Sequence, residues 1–160
     1  MKSNFPHFNF PERLTIEVTN TCNLDCIMCP RHSAENNTGF IKLDMYRKII
    51  EEATHHLPIT LVPFFRGEPL LHPDIFEMIG IANKSGLGPI QLATNATLLN
   101  RNTSTKLIKS GLDFLSLSLD IDNKNYKATH LGGDYDKVIN NIDNFITIKK
   151  EMKVTKPEIQ

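Results

Sequence analysis

Residues 13–30, RLTIEVTNTCNLDCIMCP, run from a β-branched segment straight into three cysteines. Arg13 to Thr19 alternates apolar and polar side chains and predicts a strand. Cys22, Cys26 and Cys29 follow at spacings of x3 and x2, and no other cysteine occurs in the chain. An odd number at this spacing does not suggest a disulfide framework. One loop can instead wrap three thiolates around one inorganic centre. Three soft ligands leave a fourth position open, and an open position is where chemistry occurs. A structural zinc site is the other reading of the same residues, with His32 as fourth ligand in the pattern Cys-x3-Cys-x2-Cys-x2-His.

Strand and helix signals alternate outward from this loop. Asp44 can cap a helix running to about His56, with Ile49, Ile50 and Ala53 on one face. Ile59 to Phe65 is a continuous apolar run of the kind found in parallel strands covered on both faces. It ends in Arg66-Gly67-Glu68-Pro69. His72-Pro73-Asp74 starts a helix that Gly86 ends. Pro89 to Ala93 predicts a third strand, followed by Thr94-Asn95-Ala96 and a helix from about Arg101 to Ser110. Phe114 to Leu119 predicts a fourth, ending at Asp120. Gly132-Gly133 breaks the chain before a helix over Tyr135–Lys150, whose Val138, Ile142, Phe145 and Ile146 form an apolar stripe.

Four strand–helix units in alternation predict an α/β fold with parallel strands and right-handed crossovers. In such folds ligands sit at the carboxyl ends of the strands. The cysteine loop, Arg66-Gly67-Glu68-Pro69, Thr94-Asn95, and Ser118 with Asp120 all lie there.

Composition sets outer bounds. The 160 residues are 40% apolar and 22% charged, a globular balance long enough for one core. Eighteen basic residues match eighteen acidic ones, which gives no electrostatic case for nucleic acid or a membrane surface as partner. Met1 to Pro11 lacks the apolar stretch of a signal peptide. The most apolar segment, Leu57 to Phe65, is interrupted by Pro58 and Pro63 and is too short to span a bilayer. The expectation is a cytoplasmic protein.

Taken together, these segments resemble the radical SAM superfamily. Cys22-Asn-Leu-Asp-Cys26-Ile-Met-Cys29 has the spacing of its signature loop, and Gly67-Glu68-Pro69 resembles its landmark at the end of the second strand. Leu70 to Asp74, Thr94 to Leu99 and Ser116 to Asp120 are similar to further family segments. Cys29-Pro30-Arg31 looks most like the branch with SPASM-type C-terminal domains. The resemblance implies a partial (β/α) barrel, with about four of the six strand–helix units present in this chain. Residues 1–12 would be an N-terminal extension and 13–160 the core, cut at the start of a fifth strand near Lys156.

The resemblance also implies roles. Cys22, Cys26 and Cys29 would bind three irons of a [4Fe–4S] cluster, with S-adenosylmethionine on the fourth. Reductive cleavage of that cofactor would give a 5′-deoxyadenosyl radical for hydrogen abstraction. Gly67 and Glu68 would face the methionine amino group, Met28 the adenine, and Asn95, Ser118 and Asp120 the ribose or carboxylate. An electron donor of flavodoxin or ferredoxin type is implied. Arg66, Ala96 and Met28 depart from the family, which often has glycine, glycine and an aromatic residue there. A non-catalytic iron–sulfur or zinc-binding module is the alternative.

Simpler roles stand beside these. Glu68 can be a turn carboxylate and Asn95 a turn former. Ser118 and Asp120 can cap the following loop. His55, His56, His72 and His130 read as surface or helix-end residues, and Arg31 as a solvated loop side chain. Phe5, Phe8 and Phe10 read as a cover for an open end of the sheet.

Overall fold

The computed structural model describes residues 10–33 and 38–160. Five short strands form in sequence order: β1 Arg13–Thr15, β2 Thr60–Val62, β3 Gln91–Thr94, β4 Phe114–Leu117 and β5 Glu158–Ile159. Every pairing between them is parallel. β1 lies on β2 with Leu14 opposite Leu61, and β4 lies between β3 and β5. A parallel bridge between Leu61 and Ile90 joins the two groups, reinforced by Leu61 N–H donating to Pro89 O at 3.0 Å and Gly88 N–H to Ile59 O at 2.9 Å. The strand order therefore follows the chain, the order of a (β/α) barrel. The described residues make an open, partial barrel. Its fifth strand stands where Lys156–Gln160 predicted one.

The strands are shorter than their apolar runs. β1 ends at Thr15, yet Ile16 N–H still donates to Val62 O at 3.0 Å. Beyond Val18 the backbone turns to other partners: Thr19 bridges antiparallel to Phe40, and Ile41 N–H donates to Val18 O. β2 stops at Val62 because Pro63 cannot donate to a ladder.

Five α-helices cross between or follow the strands: α1 Leu43–Thr54, α2 Ile75–Lys84, α3 Arg101–Lys109, α4 Asn123–Thr129 and α5 Tyr135–Glu151. Asp44 does not cap α1. The N-cap is Lys42, and Asp44 sits inside the first turn, where its charge still favours the helix N-terminus. α2 has Asp74 as its N-cap with no side-chain cap; His72 ties the entry to it, with Asp74 N–H donating to its Nδ1 at 3.0 Å and Nε2 3.0 Å from Ile41 O. His72 is a helix-end residue, and it is buried rather than at the surface. Gly86 follows α2 at φ +81, the left-handed geometry glycine adopts cheaply. Helix α4 has no apolar periodicity and is absent from the sequence expectation. Its side-chain cap is Asp122, which accepts from Asn125 N–H at 2.8 Å.

The core gathers Ile50, Ile59, Leu61, Ile79, Leu92, Leu99, Leu107 and Phe145, all nearly or fully buried. On α5 the stripe is Val138, Phe145 and Ile148, with Ile142 partly buried against it; Ile146 lies only at its margin. Phe10 stacks on exposed His56 with ring centroids 4.1 Å apart. Phe5 and Phe8 lie outside the described residues.

Candidate functional site

The carboxyl ends of β1 to β4 surround a cavity of about 330 Å³. Cys22, Cys26, Met28 and Cys29 form one wall, Arg66, Gly67 and Glu68 a second, Asn95 and Ser118 a third. Eight of the nine candidate residues named above thus meet at one site. The ninth, Asp120, is not in the cavity wall.

The cysteine loop has no regular structure of its own, so it is held by its neighbours. Asp25 N–H donates to Leu131 O at 2.9 Å and Ile27 N–H to Thr129 O at 3.0 Å. These bonds flank Cys26. Arg31 Nη2 donates to Leu24 O at 2.8 Å, so its guanidinium braces the loop from inside. That corrects the reading of Arg31 as a solvated side chain. All three thiols are free and half-buried. Burial pushes the Cys26 thiol up, and the neighbouring Cys22 and Cys29 push it further. Three thiols gathered in one loop are a donor set that a cationic iron–sulfur centre would stabilise as thiolates. The residues present fit such a centre. The zinc reading fits less well: His32 Nε2 lies 3.1 Å from Cys26 O and 3.5 Å from Asp25 Oδ1. Among the described residues no group of three or more His, Cys, Asp or Glu could hold one metal ion.

Gly67 explains its own identity. A Cβ there would stand 2.3 Å from Thr19 O and 2.7 Å from Thr21 O. The segment after β2 lies directly on the backbone entering the cysteine loop, and Glu68 N–H donates to Thr21 O at 2.8 Å. The close approach that requires glycine is to the protein's own chain.

Glu68 is 2% exposed, and its carboxylate takes three donors. Oε1 accepts from Leu70 N–H at 3.0 Å and Thr94 Oγ1 at 2.8 Å; Oε2 accepts from Asn95 N–H at 2.8 Å. Burial raises its pKa against the lowering effect of these donors. Its side chain clamps the second strand end to the third. Glu68 also lines the cavity, where the resemblance puts the methionine amino group.

Asn95 continues the clamp. Its Oδ1 accepts from Thr97 N–H at 3.0 Å, and its Nδ2 donates to Asn23 Oδ1 at 3.0 Å and lies 3.9 Å from Cys22 Sγ. Turn forming and support of the cysteine loop are the same contact set. Ala96 takes φ +59, where the family often has glycine. A Cβ in this region costs about 1–2 kcal/mol. Asn141 Nδ2 donates to Ala96 O and Thr97 O, holding the conformation.

Arg66, the other departure, turns its guanidinium to Glu17: Nε and Nη2 each lie 2.8 Å from a carboxylate oxygen. The hydrogen bond from Arg66 holds the Glu17 carboxyl below its ordinary range, against a smaller opposing effect of burial. A lowered folded-state pKa contributes stability above the unfolded pKa that is lost as pH falls. Glu17→Gln is expected to cost about 1 kcal/mol near neutrality. In urea titrations the gap between parent and variant should narrow below roughly pH 4.3. A gap independent of pH would mean that the pair contributes nothing.

Asp120 and His130 form a further pair. Asp120 accepts from Thr129 Oγ1 and lies 3.3 Å from His130 Nδ1. His130 is the helix-end residue of α4, and at 7% exposed it stands in the cavity wall rather than at the surface. Sequence reasoning missed it because α4 is polar on all sides. The only available signal was its position just before Gly132-Gly133.

Comparison with known proteins agrees with this geometry. The radical SAM superfamily profile matches residues 16–155. A probable GTP 3′,8-cyclase of Methanocaldococcus jannaschii is 33% identical over 136 residues, 84% of this chain and 45% of that protein. The AdoMet-dependent heme synthase of Methanosarcina barkeri is 36% identical over 114 residues, 70% of this chain and 32% of its own. The chain spans less than half the length of these curated relatives. Among solved structures, anSMEcpe with bound AdoMet superposes with a TM-score of 0.74 at 21% identity, covering 94% of this chain and 43% of that one. SuiB of Streptococcus suis bound to the precursor peptide SuiA gives 0.70 at 23% identity, covering 88% and 31%. These two likenesses concern the fold. On the profile match, the chain belongs to the radical SAM superfamily, whose members use a [4Fe–4S] cluster and S-adenosylmethionine.

Proposed function

We propose that this chain supplies the cofactor-binding part of a radical enzyme, with residues 13–160 as its core. Cys22, Cys26 and Cys29 are the cluster ligands in this reading. When bound, the cluster and S-adenosylmethionine supply a one-electron cleavage that yields methionine and a 5′-deoxyadenosyl radical for hydrogen abstraction from a substrate.

The chain's own residues do the rest. The loop presents three thiolates on one side of the cavity. Gly67 presses the second strand end onto that loop, and Glu68 ties it to the third. Ser118 has its backbone N–H on Thr94 O at 2.9 Å and brings the fourth strand end to the cavity. Arg66, Gly67 and Ser118 offer backbone and hydroxyl groups to the amino-acid end of the cofactor, while half-exposed Met28 forms an apolar ledge for its adenine. The observation that carries the reading is this convergence of four strand ends on three thiols, inside a family match that spans nearly the whole chain.

A cytoplasmic location belongs to the same proposal, since free thiols persist there. Among the described residues no helix is long and apolar enough to cross a membrane. A flavodoxin- or ferredoxin-like protein is the proposed electron donor.

Anaerobic reconstitution with iron and sulfide tests the reading. The expected product carries a [4Fe–4S] cluster by iron and sulfide analysis, with a visible absorption shoulder. With dithionite and S-adenosylmethionine it is expected to form 5′-deoxyadenosine. Tightly held zinc without sulfide would sink the proposal.

A further inference from the structure

The charge pair that joins the ends of β1 and β2 stands unequally to the cavity. Arg66 lines the cavity together with Cys29, whereas Glu17 is not in its wall. Two bonds of 2.8 Å to the Glu17 carboxylate fix the direction of the guanidinium, and its Cζ lies 5.6 Å from the Phe65 ring centroid. The two side chains are 23% and 28% exposed, so solvent and salt screen them less than charges on the open surface.

The thiols and the pair also act on one another unequally. Hydrogen bonding and the charge of Glu17 raise the Arg66 pKa most, and Cys29 raises it further. Glu17 responds to Arg66 and to burial. The pair is thus a short dipole whose positive end is on the sulfur side. The family often has glycine at this position, so the charge belongs to this chain. A fixed charge beside a redox centre biases its electron equilibrium: a cation favours the added electron and an anion opposes it.

We propose that Arg66 tunes the reduction potential of the cluster, holding it above the value the cysteine loop alone would give. Glu17 is its positioning residue, which aims the guanidinium and partly offsets its charge. The inference rests on the cofactor reading above and concerns the electron-transfer step that precedes cleavage. In that step one electron passes from the reduced donor protein to the cluster, and no covalent bond forms or breaks. Neither side chain has to touch S-adenosylmethionine to act.

Redox titration of the reconstituted full chain without S-adenosylmethionine tests it, followed by the electron paramagnetic resonance signal of the reduced cluster. Arg66→Gln is expected to shift the equilibrium about tenfold toward the oxidised form, or about 59 mV downward. Glu17→Gln leaves the guanidinium uncompensated and is expected to shift it about threefold the other way. Arg66→Lys keeps the charge and is expected to stay within about threefold of the parent. Opposite signs in the two glutamine variants support the proposal, because loosening of the same strand ends would move both in one direction. Shifts of one sign in both variants would overturn it. A parent-like potential in Arg66→Gln would do the same, as would an Arg66→Lys potential equal to that of Arg66→Gln. Loss of iron and sulfide in Arg66→Gln would also overturn it, making the residue a support of the loop. A parent that takes up no cluster defeats the cofactor reading as well; a clustered parent whose potential ignores both substitutions defeats this proposal alone.

Discussion

Cys26→Ala is expected to abolish cluster binding, with iron and sulfide falling to background after reconstitution and 5′-deoxyadenosine formation lost. The size of the effect follows from the loop. Cys26 is the middle one of the three proposed ligands, its neighbours are pinned by Leu131 O and Thr129 O, and the 160 residues hold no other cysteine to replace it. Removing one of three thiolates leaves two, against the four protein ligands usual for such clusters and the three this family's loop provides. The fold itself should survive, because the loop is tied by backbone bonds that alanine leaves intact. Circular dichroism and urea unfolding of the unreconstituted proteins should coincide to within about 0.5 kcal/mol. Formation of 5′-deoxyadenosine by the variant at the parent rate would refute the assignment of the ligands.

Gly67→Ala is expected to act the other way round, on the fold first and the cluster second. The added Cβ meets two carbonyl oxygens of the backbone, Thr19 O and Thr21 O, at distances no carbon tolerates. Neither can rotate aside as a side chain could. Thr19 is fixed by its bridge to Phe40 and Thr21 by Glu68 N–H, so the strand end must lift off the cysteine loop. A cost of about 3 kcal/mol is expected in urea unfolding. Cluster occupancy should fall with it, since the loop loses its floor. Gly39→Ala is the control, because a Cβ there meets nothing within 4 Å. A Gly67→Ala protein as stable as the Gly39→Ala protein would show that the close approach is not required.

Much of this was legible in the chain, for definable reasons. The apolar runs before Arg66, Thr94 and Ser118 announced parallel strands, and the polar segments after them marked the rim where the cavity lies. The cysteine spacing marked the loop. Roles decided by three-dimensional hydrogen bonding were not legible. Nothing in Gly67-Glu68-Pro69 tells that the carboxylate bonds Leu70, Thr94 and Asn95. Nothing in Asp120 tells that Thr129 and His130, nine and ten residues on, will occupy it. Those partners depend on α4, a seven-residue polar helix without an apolar stripe to betray it. His72 and His130 stand at helix ends, one of the two places the sequence suggested, but both are buried; a polar residue at a helix end looks the same in sequence whether its partner is water or a distant carbonyl.

The supports of the cysteine loop arrive late in synthesis. Cys29 leaves the ribosome about a hundred residues before Thr129 and Leu131, whose carbonyls hold Asp25 and Ile27. At usual elongation rates that interval lasts roughly 5 to 20 s. Through it the nascent chain displays three thiols with no formed cavity around them, open to oxygen and to stray metals. Iron and sulfide delivered to this protein in the cell are thus best received after translation has passed α4, when the loop first acquires its shape.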